Sequence, residues 1–140
     1  MLQELINRFV HPVRVSTLIG LLPMLALLLI PGCGEPRAAP VDVELARSTL
    51  KDVLEHWKAG GTIGQLRERT PEIVVQEAIW ANGRRLLEFA PIADGWKEDA
   101  NWYCEVELTL VAEDGNEPDR KKVTYVVGTD PILTVFHAML

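Results

Sequence analysis

Apolar side chains recur in steps of three and four at Val43, Ala46, Leu50, Val53, Leu54 and Trp57. That spacing lines one stripe of an α-helix, and Lys51, Asp52 and Glu55 fall on its other side. Asp42 stands where a side-chain oxygen can cap the helix start, and Glu44 puts negative charge in the first turn, where the helix dipole favours it. Gly60-Gly61 ends the helix, because glycine accepts the left-handed conformation that closes a helix C-terminus. Thr62 then caps a short helix through Ile63, Leu66 and Arg67, closed by Thr70-Pro71. From Asn101 to Val111 the period drops to two. Trp102, Cys104, Val106, Leu108 and Leu110 face one way, and Tyr103, Glu105, Glu107 and Thr109 the other. This is the pattern of a half-buried antiparallel strand. A polar loop with Asp114-Gly115 and Pro118 leads to a strand over Lys121–Val127, then a turn at Gly128-Thr129-Asp130-Pro131 and a last strand from Ile132 to Met139. Lys121 and Lys122 are expected across from Glu107 and Glu105.

The segment from Glu72 to Ile92 supports several readings. Ile73-Val74-Val75 is β-prone, Ala81-Asn82-Gly83 signals a turn, and Arg84 to Ile92 reads as another strand. A two-residue hairpin at Asn82-Gly83 would oppose Glu77 and Glu88, a like-charge pair that costs stability. A three-residue turn with Gly83 left-handed avoids this and puts Ile73, Val75, Ile79, Leu87 and Phe89 on one face. A third arrangement makes Glu77 to Ala81 a single helical turn between two strands. The second and third are favoured. Against all three stands Thr70-Pro71-Glu72, a helix-start signature.

One main helix that must bury its stripe, followed by strands in meander, predicts an α+β two-layer domain over residues 42–140, with the helix on a curved antiparallel sheet of about four strands.

Ahead of the domain, Val15–Ile30 is a run of 16 uncharged residues behind Arg8 and Arg14. It is short for a transmembrane helix, which needs about 20 apolar residues, and suits the helical core of a signal peptide. Pro31-Gly32-Cys33 follows at once, and Leu29-Ile30-Pro31-Gly32-Cys33-Gly34 resembles the bacterial lipobox, with Ile30 and Pro31 departing from the usual residues. The resemblance implies a lipoprotein-type signal peptide over 1–32, lipidation of Cys33, and a linker over 33–41 with Pro36 and Pro40. An uncleaved signal anchor and an ordinarily cleaved signal peptide are the other two readings. In each, charge bias keeps Arg8 and Arg14 inside and carries everything after Cys33 to the outer face of a bacterial membrane.

Charge narrows the partners. The chain carries a net charge of −6, although its first 32 residues are basic on balance. The exported part is therefore acidic and unsuited to a nucleic-acid backbone. The expected partners are the membrane, through the lipid anchor, and an envelope protein or a small apolar ligand. If Cys33 carries lipid, Cys104 has no disulfide partner and reads as a small core residue.

Three stretches carry a further likeness: Trp57-Lys58-Ala59-Gly60, Trp80-Ala81-Asn82-Gly83-Arg84-Arg85-Leu86, and Tyr125 to Phe136. They resemble a group of small bacterial exported lipoprotein-like proteins over roughly residues 42–137. The resemblance implies a cystatin-like or nuclear-transport-factor-like α+β fold. It implies no catalytic residues, and that fold hosts unrelated functions.

The chemistry is sparse. His11, His56 and His137 share no metal-ligand spacing, and no Cys-x-x-Cys motif occurs, so neither a metal nor a cofactor is expected. Gly60-Gly61-Thr62-Ile63-Gly64 lacks the Gly-Lys-Ser/Thr core of a nucleotide loop. Ser48, on the first helix, is the only serine after Cys33. No catalytic set emerges. The leading expectation is a non-enzymatic, membrane-tethered binding or interaction module. The alternative is a small enzyme or carrier with an apolar pocket between helix and sheet. Glu88, Tyr125 and His137 would supply the polar groups of that pocket and Trp80 would line it, with Trp102 and Phe89; Glu77 and Glu88 would share it as paired carboxylates.

Overall fold

The computed structural model describes residues 38–112, 114 and 117–138. The export segment, His11 and the lipidation candidate Cys33 lie outside the described residues. Among the described residues no helix is long and apolar enough to cross a membrane.

Helix α1 (Val43–Lys58) forms where the apolar stripe predicts it. Asp42 caps it, its Oδ1 accepting from the Leu45 N–H at 3.1 Å. Its buried residues are Ala46, Thr49, Leu50, Val53, Leu54 and Trp57. Gly60, at φ +86°, turns the chain out of the helix. Helix α2 (Ile63–Arg67) follows, and Gln65 Oε1 accepts from the Thr62 N–H at 2.9 Å. Next come strand β1 (Ile73–Gln76) and a single turn, α3 (Ala78–Ala81), with Glu77 as its N-cap. The remaining strands are β2 (Leu86–Pro91), β3 (Trp96–Glu98), β4 (Asn101–Leu110), β5 (Asp119–Gly128) and β6 (Leu133–Ala138).

The domain is α+β, with α1 packed on a mixed sheet of six strands in the order β1-β6-β5-β4-β2, and β3 also paired to β4. This corrects the expected antiparallel sheet of about four strands in two respects. Strand β1 runs parallel to β6, with Ile73 beside Leu133 and Val75 beside Val135. Strand β3 adds a three-residue pairing, Trp96 to Tyr103 through Glu98 to Asn101. The short turn into β3 uses Gly95 at φ +78°, where a Cβ would strike the Tyr103 carbonyl oxygen.

The helical turn between two strands is the arrangement that holds for Glu77–Ala81, and both hairpin readings fail. Strands β1 and β2 do not pair; they occupy opposite edges of the sheet. A register shift between Leu86 and Glu88 also buries Leu86 and leaves Leu87 half-buried. In β4 the alternation holds, with Trp102, Cys104, Val106, Leu108 and Leu110 all buried. The register is one residue off the expected pairing: Lys122, not Lys121, lies opposite Glu107, Glu105 faces Thr124, and the ion pair of Glu107 goes to Arg120 at 3.6 Å.

The core lies between α1 and one face of the sheet. Leu54, Leu66, Val106, Leu108, Leu110, Tyr125, Val127 and Val135 are each 1% exposed or less. A fully buried large apolar side chain stabilises the fold by about 1.5–3 kcal/mol.

Candidate functional site

Helix α1 does not close fully onto the sheet. Between it and β2 and β4 lies a cleft of about 620 Å3. Leu50 and Leu54 enter it from α1, Phe89 and Pro91 from β2, and Trp102, Cys104 and Val106 from β4. The helical stripe and the strand alternation thus supply its apolar walls. Its rim is charged. Lys58 Nζ donates to Glu88 Oε2 at 3.0 Å, and Arg47 Nη1 stands 3.6 Å from Asp94 Oδ1. The Arg47 guanidinium also lies 5.7 Å from the centre of the Trp102 ring, within cation–π range. The hydrogen bond from Lys58 to Glu88 raises the Lys58 ammonium above its ordinary range. Lys51, also on the rim, makes no ion pair among the described residues. Burial pushes the Cys104 thiol up, so it stays protonated and poorly nucleophilic.

A second arrangement sits where β1, α3 and β6 meet. The Glu77 side chain is 2% exposed. Its Oε2 accepts from the Trp80 N–H at the start of α3, and its Oε1 accepts from His137 Nδ1 at 2.6 Å. Where Glu77 is ionised its carboxylate can only accept, and Nδ1 is then the donor. In the neutral ring, Nε2 then presents its lone pair, and it makes no hydrogen bond among the described residues. His137 borders a shallow cleft of about 360 Å3 with Ile63, Val75, Ala78 and Ala81. Beneath it the Tyr125 ring lies 6.1 Å from the imidazole. The Tyr125 hydroxyl is buried with no hydrogen-bond partner among the described residues. Burial first, and then the Glu77 charge, push its ionisation far above the usual range. An imidazole oriented by a buried carboxylate can accept a proton at Nε2.

The four residues singled out from the sequence therefore separate. Tyr125 and His137 come together. Glu88 stands at the mouth of the α1 cleft, paired with Lys58. Trp80 stacks on Trp57 with ring centres 5.2 Å apart, beside a third cleft of about 450 Å3. Glu77 and Glu88 share no cleft. His56 does not pair with Asp52 one turn before it: its Nδ1 lies 3.3 Å from Arg69 Nη2 and its Nε2 3.1 Å from the Thr62 carbonyl, while Arg69 holds Asp52. The residue that sequence reasoning misassigned is Glu77, the partner of His137 across 60 positions. Its signal was local and weak: glutamate is not among the preferred N-cap residues, although a carboxylate at a helix start is favoured by the helix dipole.

Among the described residues no group of three or more His, Cys, Asp or Glu could hold a metal ion. What fold and sites define is an α+β domain with one helix over a mixed sheet, an apolar cleft beneath that helix and a carboxylate–imidazole pair at the sheet's far side. No family model, no curated protein and no solved structure matches the chain.

Proposed function

We propose that the chain is a non-enzymatic binding module, exported and held at a bacterial membrane by lipid on Cys33. Its domain is of the cystatin-like or nuclear-transport-factor-like kind. It takes a small apolar ligand with one acidic group into the cleft beneath α1. The observation that carries this reading is the cleft of about 620 Å3 with Leu50, Leu54, Phe89, Trp102 and Val106 in its walls. That volume is in the range of small-molecule sites, about 300–1,000 Å3. Lys51, which makes no ion pair among the described residues, supplies a cation for the acidic group. The address rests on the basic, apolar and Pro-Gly-Cys pattern of residues 1–33.

The anionic apolar dye 1-anilinonaphthalene-8-sulfonate tests the cleft. Its fluorescence should rise on binding the native protein. Ala93→Trp, on the exposed rim, should block it without lowering the melting temperature, and Lys51→Glu should weaken it. Dye binding unchanged by both variants would remove the cleft as the site. Fatty-acid labelling tests the anchor: Cys33→Ala should abolish it.

One observation favours a second reading, a small enzyme. The Glu77–His137 pair leaves Nε2 without a hydrogen bond among the described residues, able to take a proton from water as that water attacks an ester carbonyl carbon and to return it to the leaving alkoxide as the ester C–O bond breaks. This reading expects ester hydrolysis that His137→Gln abolishes in folded protein. Hydrolysis unaffected by that change, or absent from the native protein, would set it aside.

A further inference from the structure

Among the described residues the exposed large apolar side chains are Leu45, Ile92, Trp96 and Ile132, each 40–45% exposed. Pairing places them along the fold. Strand β4 begins at Asn101, which lies opposite Gly128, where β5 ends. The turn after Gly128 contains Ile132 and leads into β6. The same turn receives the incoming chain: the Asp42 N–H donates to Thr129 Oγ1 at 3.1 Å, and the Ala39 N–H to Asp130 Oδ2 at 3.2 Å. Helix α1 starts there, with Leu45 in its first turn. Trp96 pairs with Tyr103, two residues into β4 from that same end. Its ring stacks on Tyr103, with centres 5.3 Å apart and planes 13° from parallel. Ile92, bonded to Glu105, is two residues farther along. Leu45, Ile132 and Trp96 thus lie at the same end of the domain, where the chain arrives, with Trp96 on the sheet face opposite α1.

The length of that arriving chain says what lies against this end. Five residues lie between Cys33 and Ala39, which bonds Asp130 in that turn, and the six extended steps that join them reach about 22 Å at most. A lipid on Cys33 would hold the β5–β6 turn within that distance of the bilayer. We infer that this end of the domain docks on the membrane surface, with Leu45, Ile132 and the stacked Trp96 seated among the lipid headgroups. The inference rests on the lipid-anchor reading above. Tryptophan suits such a seat, because its ring combines an apolar body with a polar N–H. Charge selects the lipid. Asp42, Glu44, Glu98, Asp99 and Asp130 are exposed at this end, against Lys97 and Arg47. The docked surface is therefore zwitterionic, since anionic headgroups would be repelled.

Trp96 reports on this directly, because Trp57, Trp80 and Trp102 are all buried. The experiment uses the full-length lipidated protein in vesicles of phosphatidylcholine brominated on its acyl chains, a quencher of nearby indoles. The Trp96 signal is the difference between the native protein and Trp96→Phe. Docking expects that signal to be quenched and blue-shifted. It expects Leu45→Asp with Ile132→Asp to abolish the quenching while circular dichroism and vesicle flotation stay unchanged. Added phosphatidylglycerol should reduce quenching at low salt, and salt should restore it. Protein that floats with the vesicles while Trp96 stays unquenched overturns the docking and leaves the anchor standing. Protein that does not float overturns the anchor, and the docking with it. Quenching strengthened by phosphatidylglycerol overturns the choice of lipid.

Discussion

Tyr125 carries a conflict that a single atom resolves. Its ring is fully buried between β4 and β6, while its hydroxyl finds no partner among the described residues. An unsatisfied buried hydroxyl costs about 1–3 kcal/mol. Tyr125→Phe should therefore be neutral or stabilising by about 1 kcal/mol in urea unfolding, although most large core substitutions destabilise. The same burial fixes a pH dependence. The folded state holds the Tyr125 proton far above its ordinary range, whereas the unfolded chain releases it near pH 10. Above that pH the folded state binds more protons than the unfolded one, so stability falls as pH rises. The contribution is fully present below about pH 10 and lost by about 1.4 kcal/mol per pH unit above it. Tyr125→Phe should remove that part of the slope. An unchanged alkaline slope in the variant would show that the hydroxyl titrates normally.

Among the elements, α1 depends most on its last buried residue. Trp57 is 3% exposed, stacks on Trp80 with planes 11° apart, and donates from Nε1 to the Arg84 carbonyl at 2.9 Å. It therefore ties the helix both to α3 and to the approach to β2. Trp57→Ala should cost about 3–5 kcal/mol, and Trp57→Phe, which keeps a ring but loses the N–H, should cost less. Urea midpoints at constant slope would measure both, and equal losses would mean that the indole hydrogen bond dominates. Helix α1 and strand β4 are also the elements most legible in the sequence. Each buries one side only, so its period of 3.6 or 2 is written in its own residues. Strands β1 and β2 were not legible as placed, because their partners are remote. The Asn82-Gly83 turn signal is satisfied by Gly83 at φ +83° whichever strands flank it, and it cannot tell a hairpin from strands on opposite edges. Strand β3 is exposed at all three positions and has no period to read. The sites follow the same rule. Most of the walls of the α1 cleft come from two legible elements, with Phe89 and Pro91 added by β2, whereas the Glu77–His137 pair needs β1 beside β6, a contact that no local pattern encodes.

At the scale of the whole molecule, the sheet is unequal from centre to edge. Strands β4 and β5 pair over ten residues each and hold Val106, Leu108, Leu110, Tyr125 and Val127 at complete burial. Strand β1 pairs with β6 over four residues and, among the described residues, has no strand on its other side. Breaking the β4–β5 pairing exposes the core, so it should occur only on global unfolding. Opening β1 and α3 exposes little beyond Ile73, Val75 and Trp80. Native-state hydrogen exchange should therefore find the central amides of β4 and β5 at the global free energy, about 5–15 kcal/mol for a domain of this kind, and those of β1 several kcal/mol lower. Glu77 follows directly on β1, so the same local opening separates it from His137. His137→Gln weakens that link and, although the imidazole lies beside Tyr125 of β5, leaves the β4–β5 pairing in place; it should speed exchange in β1 while leaving the central strands at the variant's own global value. If β1 exchanged as slowly as β5 in the native protein, the edge would belong to the cooperative core, and the carboxylate–imidazole pair would be fixed as firmly as the centre of the sheet.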